Sequence, residues 1–193
     1  MNYLEAKTKP ISIIDKDIKQ IFCFDDYTFL IDENNNAWGC GNNTKGQLGL
    51  GHTWDVQGPT PITGELKGKV KKIITTGDIN IAVSTTGEMY LWGINNERAF
   101  KPLKFNLTGK MTVNTVSCGG GFAVILSNQG TIFTFGKSNK QGELGTGDFF
   151  PRSHPEPVVI ENEKIVQISC GFKHTLAKCS SGRVYSWGLV NFI

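Results

Sequence analysis

The chain has 193 residues, the length of one ordinary domain. Its 20 basic and 17 acidic residues leave a net charge of +3, too little for the basic stripe that nucleic-acid binding calls for. No window approaches the ~18 apolar residues of a membrane-spanning helix, and Met1 to Lys7 lacks the charged-then-apolar plan of a secretory signal. A cytoplasmic or nuclear setting is therefore expected, or a host cell if the protein is an effector.

Residues 1–17 precede the first of several similar units. Ile11-Ser12-Ile13-Ile14 reads as a strand closing the last unit of the fold. The other reading is a basic arm, which Lys7 and Lys9 favour and Glu5, Asp15 and Asp17 oppose. Residues 18–68 form the first full unit. Asp32 to Asn36 makes its hairpin turn, and Gly51 to Gly58 reads as a loop between units. Gly58-Pro59-Thr60-Pro61 is expected to be extended but outside any ladder, because proline has no N–H to donate. The carboxylates Asp25, Asp26, Asp32 and Glu33 gather round the first hairpin. As turn residues they are solvated; sharing a surface with Asp78, they would form an acidic patch for a basic protein partner.

Residues 69–110 are a shortened second unit, in which Lys69, Lys71 and Lys72 read as a solvated strand edge. Residues 111–162 are the third. Its Gly119-Gly120-Gly121 lies between two strands, whereas a phosphate cradle needs a helix just after it. Residues 163–193 are the fourth unit, which ends soon after Trp187-Gly188.

The units align on Gly41, Gly93, Gly136 and Gly188, with gaps of 52, 43 and 52 residues. Spacing of this size signals a solenoid, a propeller or an array. Cys40, Trp92, Phe135 and Trp187 precede those glycines, and Trp38, Tyr90, Phe133 and Tyr185 stand two residues earlier. Six residues before each closing glycine comes Asn35, Gly87, Gly130 or Gly182, types that accept positive φ in a tight hairpin. Further upstream we align Ile21, Ile74, Val116 and Ile168, then Cys23, Thr76, Cys118 and Cys170. Alternating β-branched and aromatic residues bounded by Gly or Asn read as strands, and the aromatic columns as core.

Two units carry a longer tail. Gly46-Gln47-Leu48-Gly49-Leu50-Gly51 matches Gly142-Glu143-Leu144-Gly145-Thr146-Gly147, and a proline pair follows each, Pro59/Pro61 and Pro155/Pro157. The second unit lacks this tail. His174 is aligned with Tyr27, Asn80 and Phe122, a column too varied for catalysis, and reads as a structural hydrogen-bonding residue. His52 and His154 are placed in exposed loops after the tails, without metal spacing. Five cysteines without a Cys-x-x-Cys pair read as free thiols of a reducing compartment. No serine sits in Gly-x-Ser-x-Gly. We assign no catalytic residue, no metal ligand and no cofactor.

The run Cys170-Gly171-Phe172-Lys173-His174-Thr175-Leu176-Ala177, then Gly182-Arg183-Val184-Tyr185-Ser186-Trp187-Gly188, together with Asn43-Thr44-Lys45-Gly46-Gln47-Leu48-Gly49, resembles the repeat of the regulator of chromosome condensation (RCC1) family. The match is fullest at residues 165–188 and 41–51 and covers residue 18 to the end. The resemblance implies an all-β fold, a β-propeller of four-stranded blades. It also implies a ring of roughly seven blades, so about four repeats make a partial or open propeller that missing blades or a second copy would complete. The expected function is that of a protein-interaction regulator or scaffold engaging a protein partner such as a Ran-like small GTPase. The alternative is guanine-nucleotide exchange on such a GTPase, the activity of the family's founding member.

Overall fold

The computed structural model describes residues 12, 14–77, 79–93, 99–107 and 111–189. The expected N-terminal strand and arm therefore fall mostly outside the described residues, as does Asp78. The described chain forms fifteen strands in four antiparallel sheets. Sheet 1 holds β1 (Ile18–Phe24), β2 (Tyr27–Asp32), β3 (Ala37–Gly41) and β4 (Val56–Pro61). Sheet 2 holds β5 (Val70–Thr75), β6 (Ile79–Ser84), β7 (Met89–Gly93) and β8 (Ala99–Phe105). Sheet 3 holds β9 (Val113–Cys118), β10 (Phe122–Ser127), β11 (Ile132–Gly136) and β12 (Arg152–Val158). Sheet 4 holds β13 (Ile165–Cys170), β14 (His174–Cys179) and β15 (Val184–Gly188). Strands within a sheet follow chain order, and the first strands of successive sheets approach one another. This is propeller architecture, open at both ends.

Side chains alternate across each sheet, so each sheet offers one face to the sheet before it and one to the sheet after. Tyr27, Phe29, Ile31 and Ala37 of sheet 1 meet Ile73, Ala82, Tyr90 and Trp92 of sheet 2. Ile79, Ile81, Met89 and Leu91 meet Ala123, Ile125, Phe133 and Phe135. Phe122, Val124, Leu126 and Ile132 meet Ile168, Ala177 and Cys179, with Tyr185 and Trp187 alongside. Burying each large side chain here contributes on the order of 1.5–3 kcal/mol. The turn column holds as read: Asn35, Gly87, Gly130 and Gly182 all have φ between 62° and 89°.

Three expectations need correction. First, the second unit sits one residue away from the column reading. Ile79, not Asn80, pairs with Gly93, as Tyr27 pairs with Gly41, Phe122 with Gly136 and His174 with Gly188. The inner column is Ile21, Ile73, Val116, Ile168, followed by Cys23, Thr75, Cys118, Cys170. Ile73-Ile74 and Thr75-Thr76 are doubled letters, so composition permits two registers. Burial decides between them, because a slip of one residue turns every side chain to the other face; Ile73 is buried and Ile74 only half-buried. Second, Gly51 to Gly58 does not link units but leads from the tail into β4 of the same sheet, and the tails lie within sheets. Each joins the third strand of a sheet to the fourth strand of the same sheet. Third, the proline segment is laddered: Pro61 lies opposite Trp38 and Thr60 opposite Gly39. As the outermost strand, β4 accommodates proline because nothing beyond it needs a donor.

The tails tie neighbouring sheets together. Leu48 and Leu144 are fully buried in the junctions that follow their own sheets. The main-chain oxygen of Gln47 accepts from Trp92 Nε1 at 2.8 Å and from Asn80 Nδ2 at 2.9 Å. The oxygen of Glu143 accepts from Trp187 Nε1 at 2.9 Å and Thr175 Oγ1 at 3.3 Å. Gly49 and Gly145 let the tail cross the indole: a Cβ there would stand 2.9 Å and 2.8 Å from the indole nitrogens. Sheet 2 has no such tail, and sheet 3 answers it with Phe135 and Ala123, which need no acceptor.

Because Gln47 O keeps one donor when the other is removed, Trp92→Phe and Asn80→Ala should each cost about 1 kcal/mol by urea denaturation. The double variant should cost more than their sum, since it strands a buried carbonyl. Strict additivity would show that the two donors are not shared through this oxygen.

Candidate protein-docking rim

One end of the propeller gathers the turns between first and second strands: Asp25–Asp26, Thr76–Gly77, Gly119–Gly121 and Gly171–Lys173. The two long loops, 42–55 and 137–151, emerge at the same end, since Asn42 N–H donates to Asp26 O and Ser138 N–H to Gly121 O. The inner part of this rim is a cleft of about 680 Å³, lined among others by Phe24, Asp25, Lys45, Cys118 and Phe172.

The glycine run forms the floor of the cleft. Gly119 N–H donates to Phe122 O, Gly120 N–H to Phe172 O and Gly121 N–H to Gly119 O. All three N–H groups are engaged within the protein, leaving none of them to cradle a phosphate. Side chains are barred by crowding: a Cβ at Gly119 would come within 2.1 Å of the Phe122 ring, and one at Gly171 within 2.2 Å of the His174 ring. His174 thus packs on Gly171 as Phe122 packs on Gly119. His154, expected in a loop, belongs to strand β12, and His52 is half-buried and stacked on Trp54.

Burial pushes the Cys118 thiol up to about 12, and the neighbouring Cys170 adds to the rise while Lys72 opposes it. Burial also raises Cys170. Both stay protonated near neutral pH and are poor nucleophiles. All five cysteines are free thiols. No group of three or more metal-binding side chains occurs among the described residues.

The outer rim is built by two matching loops. Asn43 and Asn139 are buried, and each Oδ1 accepts the N–H of the tail leucine, Leu48 or Leu144. Asn43 Nδ2 donates to the carbonyls of His52 and Trp54, and Asn139 Nδ2 to those of Asp148 and Phe150. Each asparagine thereby fixes a loop that holds out an aromatic ring. Trp54, Phe149, Phe150 and Phe172 are 69–75% exposed, and all four lie on this rim. Large apolar rings on rigid supports are the usual anchors of protein–protein contacts.

The acidic residues singled out in the sequence do not make one patch. Asp25 and Asp26 are exposed on the rim, whereas Asp32 and Glu33 lie at the far end of β2. Asp32 is buried and holds its turn, accepting from Asn36 N–H, Asn36 Nδ2 and Trp38 Nε1. Burial raises its carboxyl, but these hydrogen bonds outweigh burial and hold it below the usual range. Ser84 and Ser127 do the same work in the next two sheets. Sequence reading missed Trp54, Phe149, Phe150 and the two asparagines. The signal was the shared Asn three residues before the tail glycine in both long loops.

Set beside known proteins, the chain matches the regulator of chromosome condensation (RCC1) repeat at residues 34–83 and 129–177, and a second form of that repeat at 165–192. The chain belongs to the RCC1 repeat family. It is 32% identical over 185 residues to the ultraviolet-B receptor UVR8 of Arabidopsis thaliana, covering 91% of this chain and 42% of the receptor. It is 35% identical over 166 residues to the secretion-regulating guanine nucleotide exchange factor of Bos taurus, covering 79% of this chain and 34% of that protein. The crystal structure of human WBSCR16 superposes with a TM-score of 0.74 at 26% identity, covering 93% of this chain and 50% of that one. The chain thus spans a third to a half of these three proteins.

The raised thiols make a checkable statement. A thiol whose folded pKa lies above its ordinary value of 9.0 keeps its proton while the unfolded chain loses one, so stability should fall as pH rises from about 9 toward 12. A Cys118→Ser variant should lose part of that slope in denaturation series. In native labelling at pH 8, exposed Cys23 should react with iodoacetamide well before Cys118 or buried Cys179; equal rates by mass spectrometry would contradict this.

Proposed function

We propose that the chain is a protein-interaction module that docks a protein partner, a small GTPase foremost, on the rim carrying Trp54, Phe150 and Phe172. The observation that carries this reading is the collection of exposed aromatic rings at one end of the propeller, two of them on loops fixed by buried asparagines. Their conformational freedom is already limited, so binding costs less ordering entropy than on mobile loops. The rim is mixed in charge, with exposed Asp25, Asp26, Lys45 and Lys173, which suits a protein surface better than a polyanion.

The choice of a GTPase draws on the 35% identity to a guanine nucleotide exchange factor. Exchange itself is the second reading on the same ground. It requires no covalent step: a factor that holds the nucleotide-free GTPase more tightly than the loaded one loosens the nucleotide by linkage. Docking stands first because no unit carries an extra insertion that would act as a wedge; the one unequal spacing is a deletion.

The two readings separate in one experiment. Release of a fluorescent guanine nucleotide is followed from a Ran-like GTPase and a panel of others, alongside binding to the same proteins. Docking without exchange predicts saturable binding with unchanged release, and exchange predicts faster release. In either case Trp54→Ala and Phe172→Ala should each weaken binding roughly 30-fold. Binding that ignores both substitutions would remove the rim from the proposal.

A further inference from the structure

The two long loops of the rim share a frame but not the group that closes it. Val56 and Arg152 begin the outer strands of sheets 1 and 3, opposite Gly41 and Gly136. The loops therefore align residue by residue, His52 with Asp148 and Trp54 with Phe150. Asp148 Oδ1 accepts the N–H of Phe150 at 3.0 Å. His52 Nδ1 accepts the N–H of Trp54 at 3.2 Å. In both loops a side-chain acceptor two residues ahead of the exposed ring closes the turn that holds it, as an Asx turn does.

The acceptors differ in kind. Asp148 is itself held: Arg152 Nη2 donates to its Oδ2 at 2.6 Å, and Arg152 Nε donates to Glu156 Oε2 at 2.6 Å. The hydrogen bond from Arg152 keeps the Asp148 carboxyl below its usual range, so it remains an acceptor in mild acid. In the first loop Val56 and Thr60 stand where Arg152 and Glu156 stand in the second, and neither carries a charge.

An imidazole nitrogen accepts only while it carries no proton. The Trp54 N–H points at Nδ1, which makes the neutral ring the Nε2–H tautomer. The Asn43 amide nitrogen stands 3.3 Å from the same atom. A proton on Nδ1 would thus meet two donors and no acceptor. The ring is stacked on the Trp54 indole, with centroids 5.1 Å apart and planes at 22°. Stacking on the indole favours a charged ring, but it does not return an acceptor to the Trp54 N–H. Charged groups flank the ring with opposite signs: Asp55, whose carboxylate accepts from Asn43 N–H, and Lys101 of β8, whose side chain lies against Gly51.

We propose that His52 is a proton-operated latch. Neutral, it closes the turn that holds Trp54 out on the rim; protonated, it opens that turn while the Phe150 loop stays closed. Its bearing on partner docking rests on the rim being the docking surface. The sign follows from the acceptor role: the latch holds at higher pH and releases as pH falls through the range of about 8 to 5 in which imidazoles gain their proton. One of the two matched aromatic anchors is then pH-sensitive and the other is not.

The test is amide hydrogen exchange on the full chain, read by NMR at about pH 8 and about pH 5.5, either side of the usual imidazole range. Protection at the Trp54 amide, corrected for the intrinsic rate and divided by that at Phe150, should fall roughly fivefold on acidification, the factor one hydrogen bond is worth. His52→Asp installs the acceptor used by the other loop and should hold the ratio constant. Should that variant fold poorly, His52→Asn, a neutral acceptor, carries the same expectation. A ratio in the unaltered chain that ignores pH, or a fall that both variants keep, overturns the latch. No partner enters this measurement, so its outcome is separate from docking. A latch that opens while partner binding is unchanged would strike Trp54 from the docking surface and leave the latch standing.

Discussion

Two of the three sheet junctions depend on the contact between one sheet's tail and the next sheet's indole. A four-stranded sheet alone buries neither face, so sheets must stack, and stacking by apolar contact alone leaves them free to slide. The oxygens of Gln47 and Glu143, each accepting from a tryptophan of the next sheet, remove that freedom. The tail leucines fill the space beneath, and the glycines beside them let the main chain lie on the ring. The same contact decides which sequence each sheet carries. Trp92 and Trp187 follow sheets with a tail, and Phe135 follows the sheet without one.

The rim inherits its stiffness from this arrangement. Asn43 and Asn139 are buried because the leucine beside each is buried, and their amide groups then fix the carbonyls of the loops above. Stability and recognition therefore share one motif. Its apolar half closes the sheet junction, and its polar half holds Trp54 or Phe150 out in water.

Much of the fold was legible in the sequence, because repetition turns weak signals into columns. The turns at Asn35, Gly87, Gly130 and Gly182 and the aromatic core could be read from letters alone, and the resemblance to the RCC1 repeat implied the all-β propeller. The register of the second sheet could not. Doubled isoleucines and threonines fit two alignments equally, and only burial separates them. Pro59 and Pro61 were expected to keep their extended segment out of any ladder, because one-dimensional reading does not know which strand is outermost. The rim was least legible. Asp32 looks like a solvated turn residue until Asn36 and Trp38 are seen to surround it. Trp54 and Phe150 belong to none of the aligned columns, and only the folded loops show them held out.

The tail contact also sets the grain along which such a protein can be cut and rejoined. A chimera that exchanges whole sheets would pair a tail with the wrong ring, or an indole with no acceptor. The modular piece straddles two sheets, opening at Asn43 and finishing at Gly93, or opening at Asn139 and finishing at Gly188. Gene duplication that respected this staggered unit would lengthen the array smoothly, whereas breakpoints at the visible sheet boundaries would leave mismatched seams.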